Sequence, residues 1–304
     1  MQAIRNFLEK MGLPSQDLYS LPTSQKTFPD GAHYRIECVL GGRHISEVEQ
    51  MKAFLEGAED YGVTINRITE TQGIMLHTDN ELEQMIELAK RAKVELFLSP
   101  GTRAEYDVSA VASLSSKVAA RIANRIRGAE NLVRAIDEVL RAVEMGCRGI
   151  ILYDEGMLWV LGQMRRDGML PKNLQFKVSA HCGHGNPASV KLLADLGADS
   201  INPTRDLELP KIAALRKTID VALDIHIDVW APDYGSWVRT YDAPEIVRVG
   251  APVDMKCGFV RFGAGIESIK SGAKQASLVD QSIKRHYPEA KQSKPGAKEL
   301  AIPE

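Results

Sequence analysis

Leu223-Asp224-Ile225-His226-Ile227-Asp228-Val229-Trp230 alternates apolar and polar residues without a break as far as Val229. A period of two marks a β-strand, with Leu223, Ile225, Ile227 and Val229 on one side and Asp224, His226 and Asp228 on the other. On an exposed hairpin the polar side would face water. In a sheet rolled into a closed cylinder the apolar side meets outer helices and the polar side points along the axis. Charges in that position are costly unless they are paired, bound to a metal or used in chemistry. The rest of the chain decides which arrangement applies.

Working outward, Asp199–Asn202 reads as the preceding strand and Leu209–Lys217 as the helix between the two. Downstream lie a short helix at Ala243–Val249, a strand at Pro252–Cys257 and a long helix at Gly263–His286. Upstream, Tyr34–Val39, Val63–Thr69, Val94–Leu98, Gly149–Tyr153 and Phe176–Ala180 read as strands. Helices separate them: from Ser46 to the stop at Gly62, then Thr78–Ala92, Ala129–Met145, Met157–Asp167 and the stretch opened by Pro187. Eight strands alternating with eight helical stretches predict a single α/β domain, a (β/α)8 TIM barrel. An open doubly wound sheet is the rival, but Gly41-Gly42 has no third glycine to complete a dinucleotide-binding turn, so no nucleotide cofactor is expected. The expected organisation is an N-terminal helical extension over 1–33, the barrel over 34–286, and a Lys/Pro/Gly/Ser-rich C-terminal tail over 287–304, extended or mobile.

Composition narrows the class. The 304 residues are 44% hydrophobic, enough to bury one large core. A formal net charge of −2 leaves no electrostatic footprint for nucleic acid. No run approaches the roughly 18 apolar residues of a membrane span, and the first residues lack the pattern of a secretory signal. Four dispersed cysteines with no C-x-x-C favour free thiols in a reducing, cytoplasmic setting. An enzyme is expected, and self-association is left open.

In such a barrel the chemistry sits at the C-terminal ends of the strands. This chain supplies Glu37, Arg43, His44, Glu70, Ser99, Arg103, Asp154, Glu155, His181, His184, Asn202, Arg205, His226, Asp228 and Lys256 there. Strand parity turns Arg35, Lys177 and Asp224 inward one layer lower, where a structural ion network is expected. One divalent metal (Zn, Mn, Mg or Fe) is an option, with His181, His226, Asp228 and Asp154 as its ligands. Against it, a lone strand histidine is more often a proton donor or a hydrogen-bonded core residue. Lys256 is either a nucleophile of lowered pKa or, the favoured reading, a salt-bridge partner of Asp228 or Glu37. The Gly263–Gly265 turn opens the last helix, a common phosphate site, and with Arg103, Arg125, Arg127 and Arg205 it points to an anionic substrate. An iron–sulfur cluster is not expected. Cys147 precedes its strand, and parity turns Cys38 and Cys257 outward, so four thiolates cannot converge.

The segment Gly197-Ala198-Asp199-Ser200-Ile201-Asn202-Pro203-Thr204-Arg205-Asp206-Leu207-Glu208-Leu209-Pro210-Lys211-Ile212 resembles the U32 peptidase (collagenase-like protease) family. The likeness extends over about Phe176–Leu215 and includes Asn186 at a helix start. It implies a barrel there and matches Arg205 and Asp206 to the family's Arg–acidic pair. The cysteine stretch that carries an iron–sulfur site in hydroxylating members of the family is absent, as are the appended domains of its collagenase-like members. Fold does not imply function.

The residues together predict an enzyme acting on a small carboxylate- or phosphate-bearing molecule by general acid–base, optionally metal-assisted chemistry: a lyase or isomerase. A U32-like peptidase or hydrolase is the alternative, and a non-catalytic small-molecule binding protein the second. His226 and His181 are the expected proton-transfer groups or ligands. Glu37 and Asp228 are ligands or orienting carboxylates, and Lys256 meets a developing anion. Arg205 and Arg103, helped by Asn202, Ser99, Gly263 and Gly265, hold the substrate.

Overall fold

Eight parallel strands close on themselves in the order β1-β10-β7-β6-β5-β4-β3-β2. They are β1 (Tyr34–Leu40), β2 (Arg67–Glu70), β3 (Glu95–Leu98), β4 (Gly149–Leu152), β5 (Gln175–Val178), β6 (Ser200–Ile201), β7 (Ala222–His226) and β10 (Val253–Cys257). Between the last two lies a short antiparallel ribbon, β8 (Asp228–Val229) with β9 (Trp237–Val238). This computed structural model describes residues 2–41, 45–107, 123–229, 237–258 and 265–304. The described helices are α1 (Gln2–Lys10), α2 (Glu47–Asp60), α3 (Asp79–Ala92), α4 (Ala129–Glu144), α5 (Glu155–Arg166), α6 (Pro187–Leu196), α7 (Leu209–Thr218), α8 (Ala243–Gly250) and α9 (Ile266–His286). The expected TIM barrel is the fold. Arg43, His44, Trp230 and Gly263 lie outside the described residues.

Local chemistry sets the helix starts. Ser46 accepts a hydrogen bond from the Glu49 N–H, Thr78 forms a reciprocal capping box with Glu81, and Asn186 does the same with Ser189 ahead of Pro187. The main core fills the space between strands and helices. Ile36, Cys38, Leu223, Ile225, Met255, Cys257, Phe176 and Val178 meet Met51, Phe54, Val247, Ala273 and Val279 there, all buried.

Inside the barrel the register stacks charges in layers. Arg35 lies beside Asp254 and Asp254 beside Asp224, while one step higher Glu37 pairs with Lys256 and Lys256 with His226. The stagger of the barrel also sets Arg67 against Glu37 and Glu95 against Arg67. Arg67 therefore reaches three carboxylates: Glu95 at 2.6 Å, Asp224 at 3.1 Å and Asp254 at 3.2 Å. Lys177 bridges Glu37 and, at 3.1 Å, Asp224. Its ammonium and the Arg67 guanidinium outweigh burial at Asp224 and hold that carboxyl at about 2. Asp254 goes the other way: burial, with Asp224 and Glu95 nearby, pushes it well above the carboxylate range. With Asp254 so biased toward its neutral form, Glu37, Glu95 and Asp224 face Arg35, Arg67 and Lys177, three anions against three cations.

Two expectations change here. The tail is extended, but it is tied to the bottom of the barrel along its length. Tyr34 N–H donates to Lys291 O, Ser293 N–H to Tyr34 O, Ala301 N–H to Glu95 Oε1 and Glu304 N–H to Gly146 O. With Phe28, whose ring lies 3.9 Å from the Arg35 guanidinium carbon, it closes that end. The eight-residue alternation also overstates the seventh strand. The barrel strand ends at His226, Ile227 bends, and Asp228 starts the ribbon instead of a third inward layer.

Candidate active site

At the C-terminal ends of the strands a cavity of about 280 Å3 opens above the ion network. Parity builds it. Val39 from β1, Ile151 from β4, His226 from β7 and Lys256 from β10 point inward, joined by Tyr153, Ser179 and Asn202 just beyond β4, β5 and β6. The rim adds Thr71, Gln72, Arg103, Tyr106, Asn124, His181 and Arg205, with Glu105 as the one carboxylate among the described lining residues.

Lys256 forms the floor. Its ammonium donates to Asn202 Oδ1 at 3.3 Å and stands 3.6 Å from Glu37 Oε1. The Asn202 amide cannot turn away, because its Nδ2 donates to the Asp224 carbonyl at 2.6 Å. Its Oδ1 therefore also faces His226 Nε2 at 3.1 Å, which must carry the ring proton. Burial and the neighbouring Lys177 bring Lys256 down to about 8, against the pull of Glu37 and Asp224. Burial and the Lys256 ammonium push His226 well below its ordinary value, so the ring is neutral at pH 7.

His181 stands at the mouth, where Arg205 Nη2 donates to its Nε2 at 2.6 Å and Asn124 meets its Nδ1 at 2.9 Å. A guanidinium only donates, so Nε2 carries the lone pair and Nδ1 the proton, which the Asn124 side-chain amide accepts when its oxygen is turned toward the ring. Desolvation of the ring, helped by Arg205, Lys256 and Arg103, brings its pKa down to about 3. The residue keeps an exposed edge, but both nitrogens are engaged. The two histidines expected to move protons are thus neutral hydrogen-bonding groups at pH 7.

Arg103 lies between the rings of Tyr153 and Tyr106, 4.8 and 4.9 Å from their centroids. Its Nη2 donates to Thr71 O, Gln72 O and the Tyr106 hydroxyl, while its buried Nη1 has no hydrogen-bond partner among the described residues. A buried guanidinium edge left unpaired is costly, and an anion in the cavity would satisfy it.

Other expected site residues serve the scaffold. Glu70 is fully buried and accepts from the Gln72, Gly73 and Ser99 N–H groups and from the Ser99 hydroxyl, so Ser99 lies behind the wall rather than in it. Glu138, which the sequence did not single out, gathers the N–H groups of Met75, Gly101 and Thr102. The two rim loops come so close that a Cβ at Gly73, where φ is 132°, would sit 2.5 Å from Gly101 Cα. Glu155 pairs with Arg125 and His184 beside the mouth.

Glu37 is sealed under the floor, held below its usual range because Lys177 and Lys256 overcome the effect of burial. It positions Lys256 and does not face the cavity. Asp154 is the N-cap of α5, accepting from the Met157 N–H at 3.1 Å. Asp228 lies near enough to Cys38 and Cys257 for its charge to add to the burial that raises both thiols. Among the described residues no three His, Cys, Asp or Glu side chains gather as a metal-ligand group, so the expected set of His181, His226, Asp228 and Asp154 does not assemble there. The four cysteines are free and buried in separate or outward positions, apart from the strand neighbours Cys38 and Cys257.

Tyr153 and Asn124 were missed. Counting parity along β4 through Ile151 would have placed Tyr153 in the cavity and Asp154 beyond it. Asn124 comes from the long connection after β3, where no periodicity marks it.

No protein-family model matches this chain, and no curated protein matches it either. Solved structures do, at the level of the fold. A structure described as native KDPGal aligns with 86% of this chain and 98% of its own at 12% identity and a TM-score of 0.50. The octameric ribulose-1,5-bisphosphate carboxylase/oxygenase of Pyrococcus horikoshii OT3 aligns with 83% of this chain and 60% of its own, at 11% identity and 0.50. A U32 peptidase aligns with 81% of this chain at 14% identity and a TM-score of 0.46. The closed eight-stranded barrel, with the two likenesses at a TM-score of 0.50, defines the class, a TIM barrel. No helix among the described residues is long and apolar enough to cross a membrane.

Proposed function

We propose that this protein is an enzyme acting on a small carboxylate- or phosphate-bearing molecule, with chemistry of the lyase or isomerase type. One observation carries the reading: Arg103, Arg205 and Lys256 line a cavity of about 280 Å3 whose described walls hold a single carboxylate, Glu105. Such a chamber favours an anion, and its size suits a small molecule rather than a polypeptide. Arg103 Nη1 and Arg205 grip the anionic group. His226 and His181 stay neutral and orient the substrate by hydrogen bonds. Lys256 meets negative charge that develops on the reacting atoms, and its pKa near 8 lets it give and take a proton close to neutrality.

The test is thermal-shift and calorimetric titration with small mono- and dicarboxylates and phosphate esters at low salt. At least one class should bind with a Kd tighter than about 1 mM, and Arg103→Met should remove the binding. If every anion of both classes leaves the protein unchanged, the reading falls.

A further inference from the structure

Two ammonium groups meet Glu37 below and at the floor of the cavity, and they are not equivalent. Lys177 is fully buried between Glu37 and Asp224. Lys256 lines the cavity, and its one hydrogen bond among the described residues is the 3.3 Å contact to Asn202 Oδ1. Glu37 Oε1, at 3.6 Å, is beyond hydrogen-bond range. An ammonium has three protons to place, so this one is under-coordinated where it borders the cavity. Nor does the network below require its charge, since three cations already face three carboxylates there once Asp254 is neutral.

We infer that Lys256 is a nucleophile that forms a Schiff base through Nζ with the carbonyl carbon of a small aldehyde or ketone bearing an anionic group. The inference rests on the anion-binding reading of the chamber. The free amine adds to the carbonyl carbon to give a carbinolamine. Loss of its oxygen as water then leaves a protonated imine. Counted from the ammonium, one proton is shed to free the amine and taken up again as the carbinolamine hydroxyl leaves as water; two of the three N–H bonds thus give way to the C=N bond, their hydrogens leave with the carbonyl oxygen, and no oxidant or reductant takes part. The iminium keeps the single positive charge of the ammonium, so the pairing with Glu37 persists. It also withdraws electrons from the adjacent carbon, which is what carbon–carbon cleavage or proton abstraction at that carbon requires. Burial and the cation Lys177 beneath it supply the amine form near neutrality. Arg103 and Arg205 hold the anionic group so that the carbonyl carbon stays over the floor.

The experiment incubates the full chain separately with pyruvate and with dihydroxyacetone phosphate between pH 7 and 9, followed by sodium borohydride, intact mass measurement and peptide mapping. The expected result is one reduced adduct per chain, on Lys256, absent in Lys256→Arg. Its rate should climb through about pH 8. On free-amine fraction alone, labelling at pH 7.5 should exceed that of a lysine in a model peptide on the order of a hundredfold. Labelling by only one compound identifies the anionic group as carboxylate or phosphate. If neither compound labels Lys256 faster than the partly exposed Lys191, the covalent step is overturned, and this is read on the wild-type chain whatever the variant does. Where small anions still raise the melting temperature in that case, the anion-binding reading survives alone; where they do not, both fall.

Discussion

The two ends of the barrel interior use the same residue types for opposite purposes. At the lower end Arg35, Arg67, Lys177, Glu37, Glu95, Asp224 and Asp254 are shut in by Phe28 and the tail, and their charges cancel. At the upper end Arg103, Arg205 and Lys256 face a cavity with Glu105 as the only described carboxylate. A balanced buried network is costly to break and supplies no unmet charge. At the upper end Glu105 meets Arg103 at 3.4 Å and Glu37 meets Lys256 from below at 3.6 Å, so the cavity lining carries three cations against one carboxylate and favours an anionic ligand. Charge in a barrel interior is therefore informative only once its partners are counted.

The largest effect should come from the lower end. Arg67→Met leaves Glu95, Asp224 and Asp254 without their shared cation, and should cost roughly 3–5 kcal/mol in a denaturant unfolding curve. At the upper end Lys256→Met should lower turnover of an identified substrate by about 10²–10⁴-fold, while the unfolding midpoint moves far less than in Arg67→Met, because Lys177 still pairs with Glu37. The reverse outcome, an unfolded Lys256→Met and a stable Arg67→Met, would break the distinction between the two ends.

A chain ended at His286 tests the seal. It loses the Ala301 N–H from Glu95 and the Ser293 hydroxyl from Arg35, and should be less stable by roughly 1–3 kcal/mol with the anion site intact by calorimetry. The smallest effect is a pH slope. The unfolded chain protonates His226 near 6.5, whereas the folded chain keeps it neutral to well below that. The unfolded state then binds more protons, so stability is full above about pH 6.5 and falls as the pH drops toward the folded pKa. His226→Gln should flatten that part of the profile of unfolding free energy against pH.

The alternation of hydrophobic and polar residues carried most of the fold. Strand parity on β1, β5, β7 and β10 placed Arg35, Glu37, Lys177, Asp224, His226, Asp254 and Lys256 on the inward side, and the division into a buried lower network and a cavity-lining upper layer follows from it. Parity failed where backbone geometry broke the period. The bend at Ile227 sends Asp228 toward Cys38 and Cys257, and Asp154 lies past the end of β4, where helix capping claims its carboxylate. Ser99 was expected to touch the substrate and Glu70 to stand at the rim among the functional groups. Glu70 instead accepts from the Gln72 and Gly73 N–H groups and from the N–H and hydroxyl of Ser99, a support of the rim that residue type alone does not reveal.

The sequence by itself determined the barrel, the inward charges and the level of the site, because period and turn chemistry are local properties written residue by residue. Only the tertiary structure decided which charge pairs with which. The stagger between strands sets Arg67 among three carboxylates, the Asp224 carbonyl fixes the Asn202 amide, and the tail closes the base from more than two hundred residues away in sequence. Protonation depends on those distances and on exclusion of water. That is why the expected proton carriers, His181 and His226, are neutral in the folded chain, and why Lys256, read as a salt-bridge partner, meets Glu37 at 3.6 Å and also borders the cavity.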